Sequence, residues 1–135
     1  MITDYCWSPS FVNNSNLQNQ AYNYLPFPAP ELELNLILSN VYRENSDNIT
    51  NLSQAQNFLY LINPSEYLDG EAFVNTLAET NYDLLIIDLF DATNAALSNG
   101  EINHLKKKGN CGQRMVIAYI SIGEAEDYRY YWKSS

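Results

Sequence analysis

The sequence predicts an α/β fold in which about three parallel strands alternate with helices. Three observations lead there. Residues 83–90, DLLIIDLF, are apolar on both faces, as a strand covered by helices must be. Residues 58–62 and 115–121 are two further strand-like runs, and the stretches between the three carry helical spacing and helix caps. Strand, helix, strand, helix, strand at roughly 30 residues per unit is the βαβ crossover pattern, right-handed almost without exception.

Before the first of these strands the composition differs. It is rich in asparagine and serine, with Pro26, Pro28 and Pro30 favouring extended backbone, so residues 1–57 read as an Asn- and Pro-rich leader or linker and 58–135 as the folded domain. Within the leader, residues 32–41 suit either a strand or a short amphipathic helix. Sequons at Asn13, Asn48 and Asn51 mark possible glycosylation, although asparagine-rich sequence also produces them by chance.

FLYLI at 58–62 is an aromatic and branched run closed by Asn63 and Pro64. A helix is expected over 70–79, with Ala72, Phe73, Leu77 and Ala78 at helical spacing and Asp69 as its N-cap. After the second strand, Ser98 and Glu101 form a capping box, and Ile102 and Leu105 make an apolar stripe. Lysines 106–108 then suit the negative end of the helix dipole before Gly109.

The charge balance narrows the partners. Sixteen acidic against seven basic residues give a net charge of -9, which repels nucleic acid and anionic membrane surfaces and favours a cationic or neutral partner. No apolar run approaches the ~20 residues of a membrane helix, and the opening residues carry no secretory signal. Cys6 and Cys111 lie too far apart in sequence to suggest a zinc site or a disulfide framework, so both read as ordinary thiols. There is no GxGxxG, P-loop, GxSxG or HExxH, and no cofactor is expected.

Sites in parallel α/β proteins gather at the carboxyl ends of the strands. There Asp88 shares a face with Leu84 and Ile86, either as a ligand-facing carboxylate or as a capping or ion-paired structural one. On the third strand Tyr119 and Ser121 point the same way just before Gly123, where the chain can turn. Glu126 and Asp127 follow, among aromatic residues and Arg129. Carboxylates interleaved with rings suit sugar recognition, and Arg129 would hold one acid in place, although acidic residues also simply suit a helix N-terminus. His104 reads as a surface histidine.

YDLLIIDLF at 82–90, EINHLKKKG at 101–109 and AYISIGEAEDYRYYW at 118–132 together resemble glycoside hydrolase family 114, the endo-alpha-1,4-polygalactosaminidase-like proteins, some labelled cysteinyl-tRNA-synthetase-like. The resemblance covers residues 58–133. It implies a (β/α)8 TIM barrel, here incomplete, that cleaves galactosamine-containing polysaccharide. It also implies a secreted or cell-surface setting, and a substrate-binding set of Asp88, Tyr119, Ser121, Gly123, Glu126, Asp127 and Arg129. A partly deacetylated galactosaminan is cationic and would be drawn to an acidic site. Relatives often place glutamines on the first strand, where this chain has Tyr60 and Ile62. A closed barrel takes about 250 residues, so the chain is expected to be an N-terminal fragment, inactive alone, with the catalytic pair unassigned. The competing readings are a non-catalytic carbohydrate-binding or adhesion module and a small flavodoxin-like domain, which needs about five strands.

Overall fold

The computed structural model describes residues 1–38, 40–67, 69–121 and 132. Its chain order is β1 (Ile2–Tyr5), α1 (Pro9–Ala21), β2 (Pro26–Ala29), a 3-10 turn (Leu52–Gln54), β3 (Leu59–Leu61), α2 (Gly70–Glu79), β4 (Leu84–Asp88), α3 (Asn99–Leu105) and β5 (Met115–Tyr119). All strand pairs are parallel. β1 pairs with β2 in one sheet, and β3, β4 and β5 lie in that order in another. Neighbours in space are thus neighbours in sequence, unlike the reversed order of a doubly wound, flavodoxin-like sheet.

The helices after β3 and β4 start where their caps place them. The Asp69 side chain accepts from Glu71 N at 3.0 Å. Ser98 Oγ accepts from Glu101 N at 3.3 Å while Glu101 accepts from Ser98 N at 2.7 Å, completing the capping box. α2 buries Phe73, Val74, Leu77 and Ala78. α2 and α3 touch one another, which places both on the same side of the three-stranded sheet. Leu59, Leu61, Leu85 and Ile87 point to that side and are fully buried, each burial stabilising the fold by about 1.5–3 kcal/mol. Tyr60, Ile86 and Ile117 are register partners on the opposite face and only partly buried. β4 is therefore covered fully on one face and partly on the other.

The first 57 residues are built into this structure rather than leading up to it. β1, α1 and β2 form a strand, helix, strand unit, and Phe27, Ala29 and Leu34 belong to the same core as the later strands. Phe27 and Phe58 pack ring to ring with centroids 5.6 Å apart. The unit escapes a hydrophobic reading because α1 has no apolar stripe: it turns Ser15 and Asn16 inward and leaves Phe11 and Leu17 exposed. Asp4 on β1 is the reason, since Ser15 Oγ and Asn19 Nδ2 each donate to it at 2.6 Å. Residues 32–41, expected as strand or helix, hold neither among those described. Leu34 there has φ of 50°, a left-handed conformation that interrupts either element.

The asparagines of residues 43–57 have a structural use at the amino ends of the strands. Asn57 Oδ1 accepts from Asp83 N at 2.8 Å, Asn48 Oδ1 accepts from Gln113 N at 3.0 Å, and Asn45 Nδ2 donates to Asp83 Oδ2 at 3.0 Å. A short amide carrying both donor and acceptor satisfies backbone groups that no ladder reaches.

That end also holds the buried charges. Asp83 Oδ1 and Lys108 Nζ form a fully buried ion pair at 2.5 Å. Lys108 Nζ donates in addition to Asn45 O and Asn45 Oδ1, and Gln56 N donates to Asp83 Oδ2 at 2.7 Å. The lysine run is thus divided: Lys106 caps α3, as the dipole argument expects, whereas Lys108 turns inward to a carboxylate. Arg114 is buried beside it, donating to Ala78 O, Thr80 O, Thr80 Oγ1 and Lys107 O and so binding the ends of two helices together. Burial pulls its pKa down to about 10, and carbonyl dipoles carry its charge.

Candidate functional site

At the carboxyl ends of the strands the chemistry is different. β4 ends at Asp88 and β5 at Tyr119, and the two are register partners, so carboxylate and phenol stand side by side on the partly open face. One strand over, the Tyr60 ring lies 6.2 Å from that of Tyr119, tilted by 59°. Tyr5, at the end of β1, completes a group of three phenols: burial, then the proximity of Tyr119 and of Tyr5, raises the pKa of Tyr60. Tyr5 and Tyr119 are 42% and 36% exposed, enough surface to meet a ligand.

Asp88 also has a local duty, because its Oδ1 accepts from Phe90 N at 3.1 Å and turns the chain after the strand. The neighbouring Asp91 is more fully committed to structure. Its Oδ1 accepts from Thr93 N and Ala95 N, and its carboxylate lies so close to Gly70 at the start of α2 that a Cβ there would push it aside. Of the two strand-end aspartates, Asp88 is the one on the site face.

Of the residues expected in the site, the structure brings Asp88 and Tyr119 together. Ser121 is exposed just beyond β5. Gly123, Glu126, Asp127 and Arg129 lie outside the described residues. His104 is exposed on α3, as expected for a surface histidine. Both cysteines are free thiols, Cys6 buried and Cys111 exposed.

Tyr5 and Tyr60 were not among the expected site residues. The alternation of Phe58 and Tyr60 into β3 was the available signal for Tyr60. For Tyr5 it was the Thr3 and Tyr5 alternation within a segment whose asparagine content disguised it. A third residue, Asn35, could not be placed from sequence, since it belongs to the irregular crossing of the end of β3: Leu34 O accepts there from Ile62 N at 3.2 Å and Asn63 N at 3.4 Å. Asn35 Nδ2 donates to Glu66 Oε1 at 3.2 Å, bringing a further carboxylate to this end.

Among the described residues, no group of three or more His, Cys, Asp or Glu is placed to hold a metal ion. No helix described is long and apolar enough to cross a membrane. What the arrangement offers is aromatic surface and hydrogen-bonding oxygen around a carboxylate.

The chain has an archaeal relative. It is similar to the uncharacterized protein MJ1477 of Methanocaldococcus jannaschii, with 43% identity over 90 residues, covering 65% of this chain and 24% of that protein. The chain therefore spans about a quarter of the length of the curated relative it matches. No family model and no solved structure matches it.

Proposed function

We propose that this chain forms one wall of the sugar-binding site of a glycoside hydrolase resembling family 114, an endo-alpha-1,4-polygalactosaminidase-like enzyme built on a (β/α)8 barrel and acting outside the cell or at its surface. The observation that carries the reading is Asp88 beside Tyr119 at the ends of adjacent parallel strands, with Tyr60 packed against Tyr119. Phenol rings cover the apolar face of a pyranose, and a carboxylate accepts from its hydroxyl or amino groups. Sequential strand order with α2 and α3 on one side of the sheet supports the barrel. The net charge of -9 supports a cationic galactosaminan as the polymer.

Glycosidases use two carboxylates about 5–10 Å apart, one as acid and one as nucleophile or base. Asp88 serves in this reading as a binding carboxylate, and the catalytic pair is not assigned among the described residues. The purified 135-residue chain is expected to bind polygalactosamine oligosaccharides without releasing reducing ends, and to bind less as salt is added. Binding that is absent at low salt would overturn the reading. Robust turnover by this chain would instead overturn the assignment of Asp88 and its neighbours to binding alone.

A further inference from the structure

Trp7 carries the largest aromatic surface of the β1, α1 and β2 unit, and it is 69% exposed. Its backbone is held on both sides. Cys6 N donates to Ala29 O at 2.7 Å, which carries the parallel ladder one residue past β1, and Ser8 is the N-cap of α1, its Oγ accepting from Phe11 N at 3.4 Å. Trp7 therefore stands at the carboxyl end of β1, the end at which Tyr5, Tyr60, Tyr119 and Asp88 gather. Exposure alternates from Tyr5 through buried Cys6 to Trp7, as in an extended chain whose residues two apart share a side. The local structural use open to Trp7 is a staple, in which the residue before the N-cap packs on the fourth residue of the helix, here Val12. An indole left so exposed is not covered by such a staple, and among the described residues it pairs with no other ring.

We propose that Trp7 is an outer platform of the sugar-binding site, on which a further residue of a galactosamine polymer stacks beyond the part held by Tyr60, Tyr119 and Asp88. The platform rests on the sugar-binding reading and adds a preference for longer oligomers to it. β1 pairs with β2, β2 touches β3, and β3, β4 and β5 follow in order, so β1 lies at the far side of the strands from Asp88 and Tyr119. A sugar chain that spans both must be longer than one resting on the phenols alone. An apolar ring left in water gains stabilisation when a ligand covers it, and an indole face attracts an ammonium more strongly than a phenol face does. Backbone anchored by Cys6 and Ser8 holds the ring's attachment in place before the ligand arrives, which lowers the ordering cost of binding.

The test compares the 135-residue chain with its Trp7→Ala variant, measuring melting temperature and calorimetric affinity for galactosamine oligomers from dimer to hexamer. Trp7→Ala should melt with the wild type, since so exposed a ring adds little to the core. It should match the wild type on the shortest oligomers that bind and fall about tenfold behind on the hexamer. Tyr22→Ala, which removes a ring equally exposed at the opposite ends of the strands, should leave every affinity unchanged. In the isotopically labelled wild type, the Trp7 indole N–H resonance, identified by its absence from Trp7→Phe, should shift on saturation with hexamer. Unchanged hexamer affinity in Trp7→Ala overturns the platform and leaves the wider reading standing. A stationary indole resonance at saturation does the same, whatever the stability of the variants. A matching loss in Tyr22→Ala also overturns the platform, because exposed rings would then be acting without regard to place. An equal loss at every length overturns its outer position. Absence of wild-type binding to the hexamer overturns both the platform and the sugar-binding reading.

Discussion

The two ends of the strands are built on opposite principles. At the amino ends, Asp83, Lys108 and Arg114 are buried; Asp83 accepts from Asn45 and the Gln56 backbone, and Arg114 donates to carbonyls at the ends of two helices. At the carboxyl ends, Asp88, Tyr5, Tyr60 and Tyr119 stay partly open, and Asn35 Oδ1 has no hydrogen-bond partner among the described residues. Charge at the first end is a structural commitment, since removing one partner strands the other in a medium that cannot solvate it. The phenols at the second stay partly open to solvent, which suits a ligand. Substitutions at the amino ends should therefore affect folding, and those at the carboxyl ends should affect binding.

The largest effect is expected from Lys108→Met, which leaves the Asp83 carboxylate buried without its cation. A loss of about 3–5 kcal/mol in urea unfolding is predicted, with Asp83→Asn added to Lys108→Met recovering part of it. A loss below 1 kcal/mol would break the comparison by showing that water reaches the pair.

Gly109→Ala comes next. A Cβ there would run into the Glu79 carbonyl at the end of α2, so a loss of about 1–3 kcal/mol is expected by thermal melting.

Tyr82 tests how far the buried region extends. Its hydroxyl donates to Leu38 O at 3.2 Å, tying the residues just before β4 to the irregular segment, and burial raises its pKa. Tyr82→Phe should cost about 1 kcal/mol at neutral pH. A phenol whose pKa rises on folding holds its proton more tightly in the folded state, so stability should fall as pH climbs above about 10, where unfolded tyrosine ionises. Tyr82→Phe should flatten that decline, which denaturation at stepped alkaline pH would reveal.

The smallest effect on folding belongs to the site. Asp88→Asn retains an acceptor for Phe90 N, and Tyr60→Phe retains the ring, so each should alter stability by no more than about 0.5 kcal/mol. Asp88→Asn should nevertheless weaken binding of galactosamine oligomers about tenfold. A large stability loss in Asp88→Asn would mean that the carboxyl ends are as structurally committed as the amino ends.

Much of the second sheet was legible in the sequence, and for local reasons. Asp69 and Ser98 with Glu101 announce helix starts because capping is a contact between residues a few positions apart. Leu84, Leu85, Ile86 and Ile87 announce a covered strand because burial on both faces requires a continuous apolar run. Asp88 and Tyr119 were legible as strand-end residues for the same reason. The β1, α1 and β2 unit was not, because a helix whose inward face is Ser15 and Asn16 leaves no periodic apolar trace. Lys108 was misread with Lys106 because identical residues two positions apart reach different surroundings once the helix has ended.

The sequence by itself determined where strands and helices of the second sheet begin, their parallel arrangement, and which strand-end residues carry oxygen and aromatic rings. These follow from patterns spanning one or two turns of chain. Only the tertiary structure decided that Asp83 meets Lys108 across 25 positions, that asparagines far upstream close the strand starts, and that Tyr5 and Asn35 join Tyr60 at the open end. Such pairings are set by the register of the strands and the path of an irregular crossing, and neither leaves a periodicity to read.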